Sequence, residues 1–349
     1  MRAALGWRGP HCVWALRFAQ SASMLPHWHL WPAILGAVLG LALVAWVCFR
    51  LTKRWSGMSP RMRWIAVIAI GLFETAYWLN IYAWFVEPNM LVVRQVEIVS
   101  DDWRGAPITI AVLSDVHIGS PHVNAERVER IVSRVNGLGP DLVVLLGDYA
   151  GSHEPEEQRS GLEQGEITYG IASFAALDAP LGVIGVLGNH DVWYGRETIT
   201  RALEEAGVAT LWNRHVVLER SDGGQIVIAG IADESTGDPD FDAAFDGAPT
   251  GLDSLVLSHS PDPFAEMPRG PALMLAGHGH CGQVTIPLIG RPILPLRNRN
   301  YGCGLIEENG KRMYVTAGIG TSIVPVRFLN PPEIVMVTIR GNAPARAVL

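Results

Sequence analysis

Five short apolar runs in this chain each stop at side chains able to bind a metal ion. Residues 108–113 lead to Asp115 and His117, residues 142–146 to Asp148, and residues 181–187 to Asn189 and His190. Residues 254–257 lead to His259, and residues 272–276 to His278 and His280. Short β-prone runs bounded by Gly, Asn, Asp and Ser read as buried strands. Stretches of helical period separate the first of them: Val123, Val128, Ile131, Val132 and Val135 recur at intervals that keep one face apolar, and further helices are expected over 167–177 and 197–206. Additional strands are expected near 216–218, 225–231, 312–315 and 333–339. Alternating strands and helices predict an α/β fold with largely parallel sheets, whose carboxyl edges gather ligands and catalytic groups.

A single histidine after a strand says little. Five of the chain's 11 histidines at strand ends is a pattern. The spacing of Asp115 with His117, and of His278 with His280, sends both members of a pair to one side of an extended segment, so each pair can serve one centre. Eight oxygen or nitrogen groups exceed what one ion with an open position uses, which predicts two metals. Mixed carboxylate, amide and imidazole ligands suit Mn, Fe or Zn. Two ions about 3.5–4 Å apart need a carboxylate between them.

The other end of the chain has a different character. Residues 30–49 carry no charge, and residues 64–86 carry only Glu74. Each run matches the roughly 20 residues that cross a bilayer. Aromatic residues crowd the second run, with Trp84 near its end. Eight of the 27 Lys/Arg and one of the 34 Asp/Glu fall in residues 1–86, leaving 19 basic and 33 acidic in residues 87–349. An acidic body argues against a nucleic-acid partner. Arg50, Lys53, Arg54, Arg61 and Arg63 lie between the two runs, so the positive-inside rule makes that connector cytoplasmic and puts everything after Val86 on the outer side. Residues 1–29 lack the form of a complete signal peptide. Met24 is an equally sensible start, so part of that segment is not expected in the mature protein. Cys281 and Cys303 can pair if the body is exported, though no spacing compels it.

Asp115-Val116-His117, Gly147-Asp148, Gly188-Asn189-His190-Asp191, His259 and Gly277-His278-Gly279-His280 resemble the calcineurin-like metallophosphoesterases in order and spacing. The resemblance runs from about residue 108 to 339. Cys281-Gly282-Gln283-Val284 with Pro287, and Gly318-Ile319-Gly320-Thr321-Ser322 with Pro325-Val326-Arg327-Phe328, resemble a membrane-associated bacterial branch of phosphodiesterases like YkuE and YaeI. Gly279 stands where that branch more often has Thr, and Cys281 where it often has Gly. The resemblance implies a two-sheet αββα sandwich with N-terminal transmembrane helices. It implies that Asp115, His117 and His280 hold one metal, that Asn189, His259 and His278 hold the other, and that Asp148 bridges them. It also implies that a hydroxide between the ions attacks phosphorus in line while His190 protonates the leaving group or binds a phosphoryl oxygen. Asp191 either orients His190 or caps a turn.

No Gly-x-Ser-x-Gly elbow and no Gly-x-x-x-x-Gly-Lys loop is present, which removes serine-nucleophile and P-loop chemistry. Arg327 reads equally as a phosphate clamp or a structural salt bridge. The acidic stretch 152–166 reads as a solvated loop, and His122, His153 and His215 have no evident companions. The expected organisation is an N-terminal segment (1–29), two transmembrane helices with a basic cytoplasmic connector (30–86) and a phosphoesterase domain (100–349). The expected activity is hydrolysis of a phosphoester, lipid-borne or in the cell envelope, at the outer face of a bacterial cytoplasmic membrane, with the bilayer as partner. A reading of another class is a membrane-bound scaffold that binds metal without catalysis. Monoester or diester, metal identity and oligomeric state are not legible in the residues.

Overall fold

The computed structural model describes residues 31–151 and 153–342, so the expectation for residues 1–29 lies outside the described residues. The chain divides into two compact units, residues 1–79 and 80–349.

The described part of the first unit is built on helices α1 (Trp31–Arg54) and α2 (Pro60–Ile81), where α2 runs on into the second unit. Both are long and apolar enough to cross a membrane, and neither buries its apolar windows in protein. A helix that is apolar all round and faces no protein core is suited to lipid, where its own i→i−4 bonds satisfy the backbone. The Tyr77 hydroxyl donates to the Ala37 carbonyl at 2.7 Å, and its ring lies where a Cβ on Gly40 would stand at 2.7 Å. The glycine therefore permits close approach of the two helices.

The second unit contains two six-stranded sheets. The first has the order β1 (Val92–Val99), β12 (Glu333–Arg340), β2 (Ile108–Leu113), β3 (Leu142–Leu145), β4 (Val183–Val186) and β5 (Ala209–Leu211), with only the β12–β2 pair antiparallel. The second runs β10 (Gly304–Glu308), β11 (Lys311–Val315), β9 (Leu273–Ala276), β8 (Asp253–Leu257), β7 (Gln225–Gly230) and β6 (Arg214–Glu219), parallel except at its two outer pairs. Period-two alternation sorts the side chains. Ile110, Val112, Leu142 and Val144 meet Ile226, Ile228, Leu255, Leu257, Leu273 and Leu275 between the sheets. Ala111, Leu113, Val143 and Leu145 face outward, under helices α3 (Ala125–Asn136), α4 (Gly161–Ala172) and α5 (Asn189–Glu205). On the far face Val256, Met274 and Met313 are covered by helix α6 (Phe241–Phe245) with Phe264, Met267 and Tyr301. The result is the expected αββα sandwich.

Three short or edge strands, β1, β5 and β10, carry no apolar run strong enough to announce them, and β1 lies ahead of residue 100. Helix α4 begins at Gly161 rather than near 167, because Ser160 and Glu163 form a capping box. Helix α5 begins at Asn189 itself, with Gly188 as N-cap, and is kinked at Gly195 (φ 148).

Candidate metal centre

Strands β2, β3, β4, β8 and β9 deliver Asp115, His117, Asp148, His190, His259, His278 and His280 to one place. Asp115, His117 and His280 bring ligand atoms within 4.8 Å of one another; so do His117, Asp148 and His190, and so do Asp148, His259 and His278. His117 Nε2 stands 3.1 Å from His280 Nε2, and His259 Nε2 stands 3.1 Å from His278 Nδ1. Asp148 Oδ2 lies between these groups, 3.6 Å from His117 Nε2, 3.2 Å from His259 Nε2 and 3.9 Å from His190 Nε2. His280 Nε2 is 3.5 Å from Asp115 Oδ1.

The backbone is bent to achieve this. Asp115, His117, Asp148, His278 and His280 all have φ between 46° and 63°, the left-handed region that non-glycine residues enter at a cost of order 1–3 kcal/mol. The segments are therefore not extended as the i, i+2 reading assumes: Asp115 and His117 still join one group, as expected, whereas His278 and His280 part. His278 turns towards His259 and Asp148, whereas His280 turns towards Asp115 and His117, because each left-handed residue redirects the chain. Glycines make room for the turns: a Cβ on Gly188 would stand 2.8 Å from His259 Cε1, and one on Gly318 would stand 2.7 Å from Asp115 Cβ.

The atoms that converge are electron-rich. Burial pushes the His117 imidazole down to about 3 and holds His278 and His280 below their ordinary values, so all three present lone pairs. Burial opposes charge on His259 as well, but the Asp148 carboxylate outweighs it and raises His259 well above the ordinary value. Burial likewise works against ionised Asp148, yet His259 and His190 hold its carboxyl far below the carboxylate range. His259 Nδ1 lies 2.8 Å from the Leu146 carbonyl, which fixes the proton there and leaves Nε2 facing Asp148. Asn189 is 3% exposed, and its Oδ1 has no hydrogen-bond partner among the described residues. A buried amide oxygen without a donor costs about 1–3 kcal/mol unless a cation or water meets it. This donor set fits divalent ions.

Asp191 braces the site through the backbone. Its carboxylate accepts from the backbone amides of Asp148, Tyr149, Ala150 and Gly188 at 2.7–3.1 Å. Burial and the neighbouring Asp148 push its pKa up to about 7 against the pull of these donors. Of the two readings the sequence left open, the geometry matches the cap. Arg327 is neither clamp nor salt bridge: it is fully buried and donates to the carbonyls of Gly320, Asn330 and Ala317 at 2.8–3.0 Å, behind His280. Three acids of the 152–166 stretch brace the fold, Glu156 accepting from the Thr198 hydroxyl at 3.1 Å. Glu163 completes the α4 capping box, and Glu166 accepts from the Ala125 amide at 2.8 Å.

His153 has no evident companion in the sequence, yet its ring centroid is 4.5 Å from that of His190 and 5.3 Å from that of Trp193. The available signal was its position five residues after Asp148, on the loop leaving the same strand end. A cleft of about 360 Å³ opens beside His278, lined by Asp233, Glu234, Asp262, Leu296 and Arg297 among others. A larger one, about 480 Å³, is lined by residues such as Arg104, Asp242 and Arg269 and contains none of the converging groups, so size alone does not mark the site. Cys281, next to His280, is disulfide-bonded to Cys303.

The sequence profile of the calcineurin-like phosphoesterases matches residues 108–282, half of the chain. The metallophosphoesterase YkuE of Bacillus subtilis is 29% identical over 267 residues, spanning 75% of this chain and 90% of that protein. The phosphodiesterase YaeI of Escherichia coli is 28% identical over 263 residues, 73% of this chain and 90% of its own length. A Danio rerio protein named as a transmembrane protein with a metallophosphoesterase domain is 29% identical over 247 residues, 67% of this chain and 53% of that one.

Proposed function

This chain belongs to the calcineurin-like phosphoesterases, metal-dependent hydrolases of phosphoric esters, and from that premise we propose a membrane-anchored phosphodiesterase with two metal ions. Asp115, His117 and His280 would hold one ion, Asn189, His259 and His278 the other, with Asp148 between them. The observation that carries this reading is the position of Asp148 Oδ2, 3.6 Å from a nitrogen of one group and 3.2 Å from a nitrogen of the other. Divalent ions at such a centre supply an activated water with a pKa of about 7 and offset charge on the phosphoryl oxygens.

The chain's own residues do the rest. Asp148 holds its geometry because its Oδ1 accepts from the His190 amide at 2.9 Å and its own amide donates to Asp191. The Leu146 carbonyl keeps His259 in the tautomer whose Nε2 faces the centre. His190, 4% exposed and with Nε2 3.9 Å from Asp148, is the proton donor to the leaving oxygen or a ligand for a phosphoryl oxygen. Trp193 and His153 wall its outer side. A diester is preferred over a monoester because the relative YaeI is named a phosphodiesterase.

In this reading two apolar helices tether the enzyme, and the basic connector between them argues, by the positive-inside rule, for everything after Val86 lying on the outer side of a cytoplasmic membrane. The disulfide Cys281–Cys303 supports that side, since oxidising compartments favour such bonds. The test is turnover of bis(p-nitrophenyl) phosphate by the full chain in detergent, with Mn supplied and Asp148→Asn as the control. Turnover by the wild type alone supports the proposal. Bound metal without turnover would instead favour a metal-binding scaffold.

A further inference from the structure

We propose that the loop after the last histidine pair and the neighbouring loop near residue 323 form an apolar brim that seats the domain on a lipid bilayer. Substrate would then be a phosphoester carried by a bilayer lipid; this second part rests on the phosphodiesterase reading. Residues 284–296 contain one charged side chain, Arg291, among three prolines and a series of aliphatic residues. Leu288 is fully exposed at 107%, Ile289 at 73% and Ile293 at 70%. Ile323 is 81% exposed and Leu329 53%. Soluble proteins expose single aliphatic residues routinely, but a cluster of this kind marks an interaction surface.

The pieces of the brim are held together. Gln283 donates to the Val324 carbonyl at 2.9 Å and accepts from the Ser322 amide, and Thr285 donates to the Phe328 carbonyl at 2.8 Å. The tip folds back on itself through reciprocal amide–carbonyl bonds of Ile286 and Gly290 at 2.8 Å. The Cys281–Cys303 disulfide closes the whole loop at its base. A loop this constrained holds its aliphatic side chains outward.

The occupant is indicated by what docks beside it. Residues 82–87 bring the chain from the apolar α2 into the domain, and they pack on the same stretch of backbone. The Arg327 amide donates to the Ala83 carbonyl at 3.0 Å, and Glu87 accepts from the amides of Leu329 and Asn330 at 2.9 and 2.6 Å. Tyr82 meets Phe328 edge-on at 6.4 Å. The point at which the chain leaves a membrane-length helix is thus continuous with the exposed aliphatic residues. At the other end of the same loop, Leu294, Pro295, Leu296 and Arg297 line the cleft beside His278. One loop therefore joins a lipid-facing tip to the candidate centre, as interfacial segments do when they sink shallowly among headgroups. In the proposed reaction water oxygen bonds to phosphorus, the ester P–O bond on the leaving side breaks, and the departing oxygen takes a proton.

The test uses the full chain in phosphatidylcholine–phosphatidylglycerol nanodiscs, with Cys12→Ser and Cys48→Ser as background. A nitroxide is placed at Leu288→Cys, and for reference at Leu162→Cys, an exposed site outside the brim. The proposal expects the label at 288 to collide more with oxygen than with a polar nickel chelate, and the label at 162 to do the reverse. Equal behaviour of both, or spin coupling between chains showing a second copy over the brim, overturns it. The variant Leu288→Ser/Ile289→Ser/Ile293→Ser is expected to cleave soluble bis(p-nitrophenyl) phosphate within twofold of the parent and phosphatidyl-p-nitrophenol in the discs at least tenfold more slowly. Equal rates on the lipid ester overturn the lipid-presentation part. If the parent cleaves neither ester, the phosphodiesterase reading fails, while the label depths still decide whether the brim meets lipid.

Discussion

Replacing Asp148 by Asn removes one negative charge from the centre while keeping the side chain's shape. In the structure its Oδ2 is 3.2 Å from His259 Nε2 and 3.6 Å from His117 Nε2. At the shorter distance and an effective dielectric of about 20, a unit charge there is attracted by about 5 kcal/mol, and a divalent ion by about 10 kcal/mol. If lost hydration offsets three-quarters of the latter, about 2.5 kcal/mol remains, or roughly 70-fold in metal affinity. Competition against a calibrated chelator should therefore show Mn held at least tens of times more weakly by Asp148→Asn. Turnover of bis(p-nitrophenyl) phosphate should fall with it and recover only partly at saturating Mn. A variant that keeps affinity within threefold of wild type, together with its turnover, would refute the placement of Asp148 between two ions.

His190→Gln should lower kcat by about 10²–10³ with metal content unchanged, as checked by parallel metal analysis, since proton transfer by a positioned group contributes about 10²–10⁴. Asp191→Ala should lower stability by about 3–5 kcal/mol in denaturant unfolding, because it strands four buried amides at once. In chelator-treated protein, His117, His278 and His280 sit below their ordinary 6.5, so the unfolded chain takes up more protons and stability drops as pH falls below that value. His259 is raised, so its contribution is complete below 6.5 and is lost as pH climbs through its folded value. The melting temperature of the chelated protein should accordingly peak near pH 6.5 in a scan from pH 5 to 9; a steady rise to pH 9 would contradict these environments.

The sandwich was legible because strands β2, β3, β4, β8 and β9 are short, apolar and end in polar clusters, a pattern that buried parallel strands impose on sequence. Strand β1 was not, since Val92–Val99 mixes Arg94, Gln95 and Glu97 into an edge position where solvent tolerates them. At the centre, residue type and strand-end position found the converging groups, but not which histidine of a pair turns which way. That depends on left-handed φ at His278 and His280, which histidine visits more readily than most residues but which its presence does not announce. Arg327 and Asp191 were ambiguous for a related reason: a charged residue near a ligand looks the same in sequence whether it faces substrate or braces backbone. For His153 the sequence offers only its place on the loop five residues after Asp148, because its contact with His190 comes from the path of that loop.

Counting metal by mass spectrometry on the purified full chain tests the two-ion site without relying on activity. After passage over a weak chelating resin, two divalent ions per wild-type chain are expected and fewer in Asp148→Asn. One ion per chain with full phosphodiesterase turnover, or none, would contradict it.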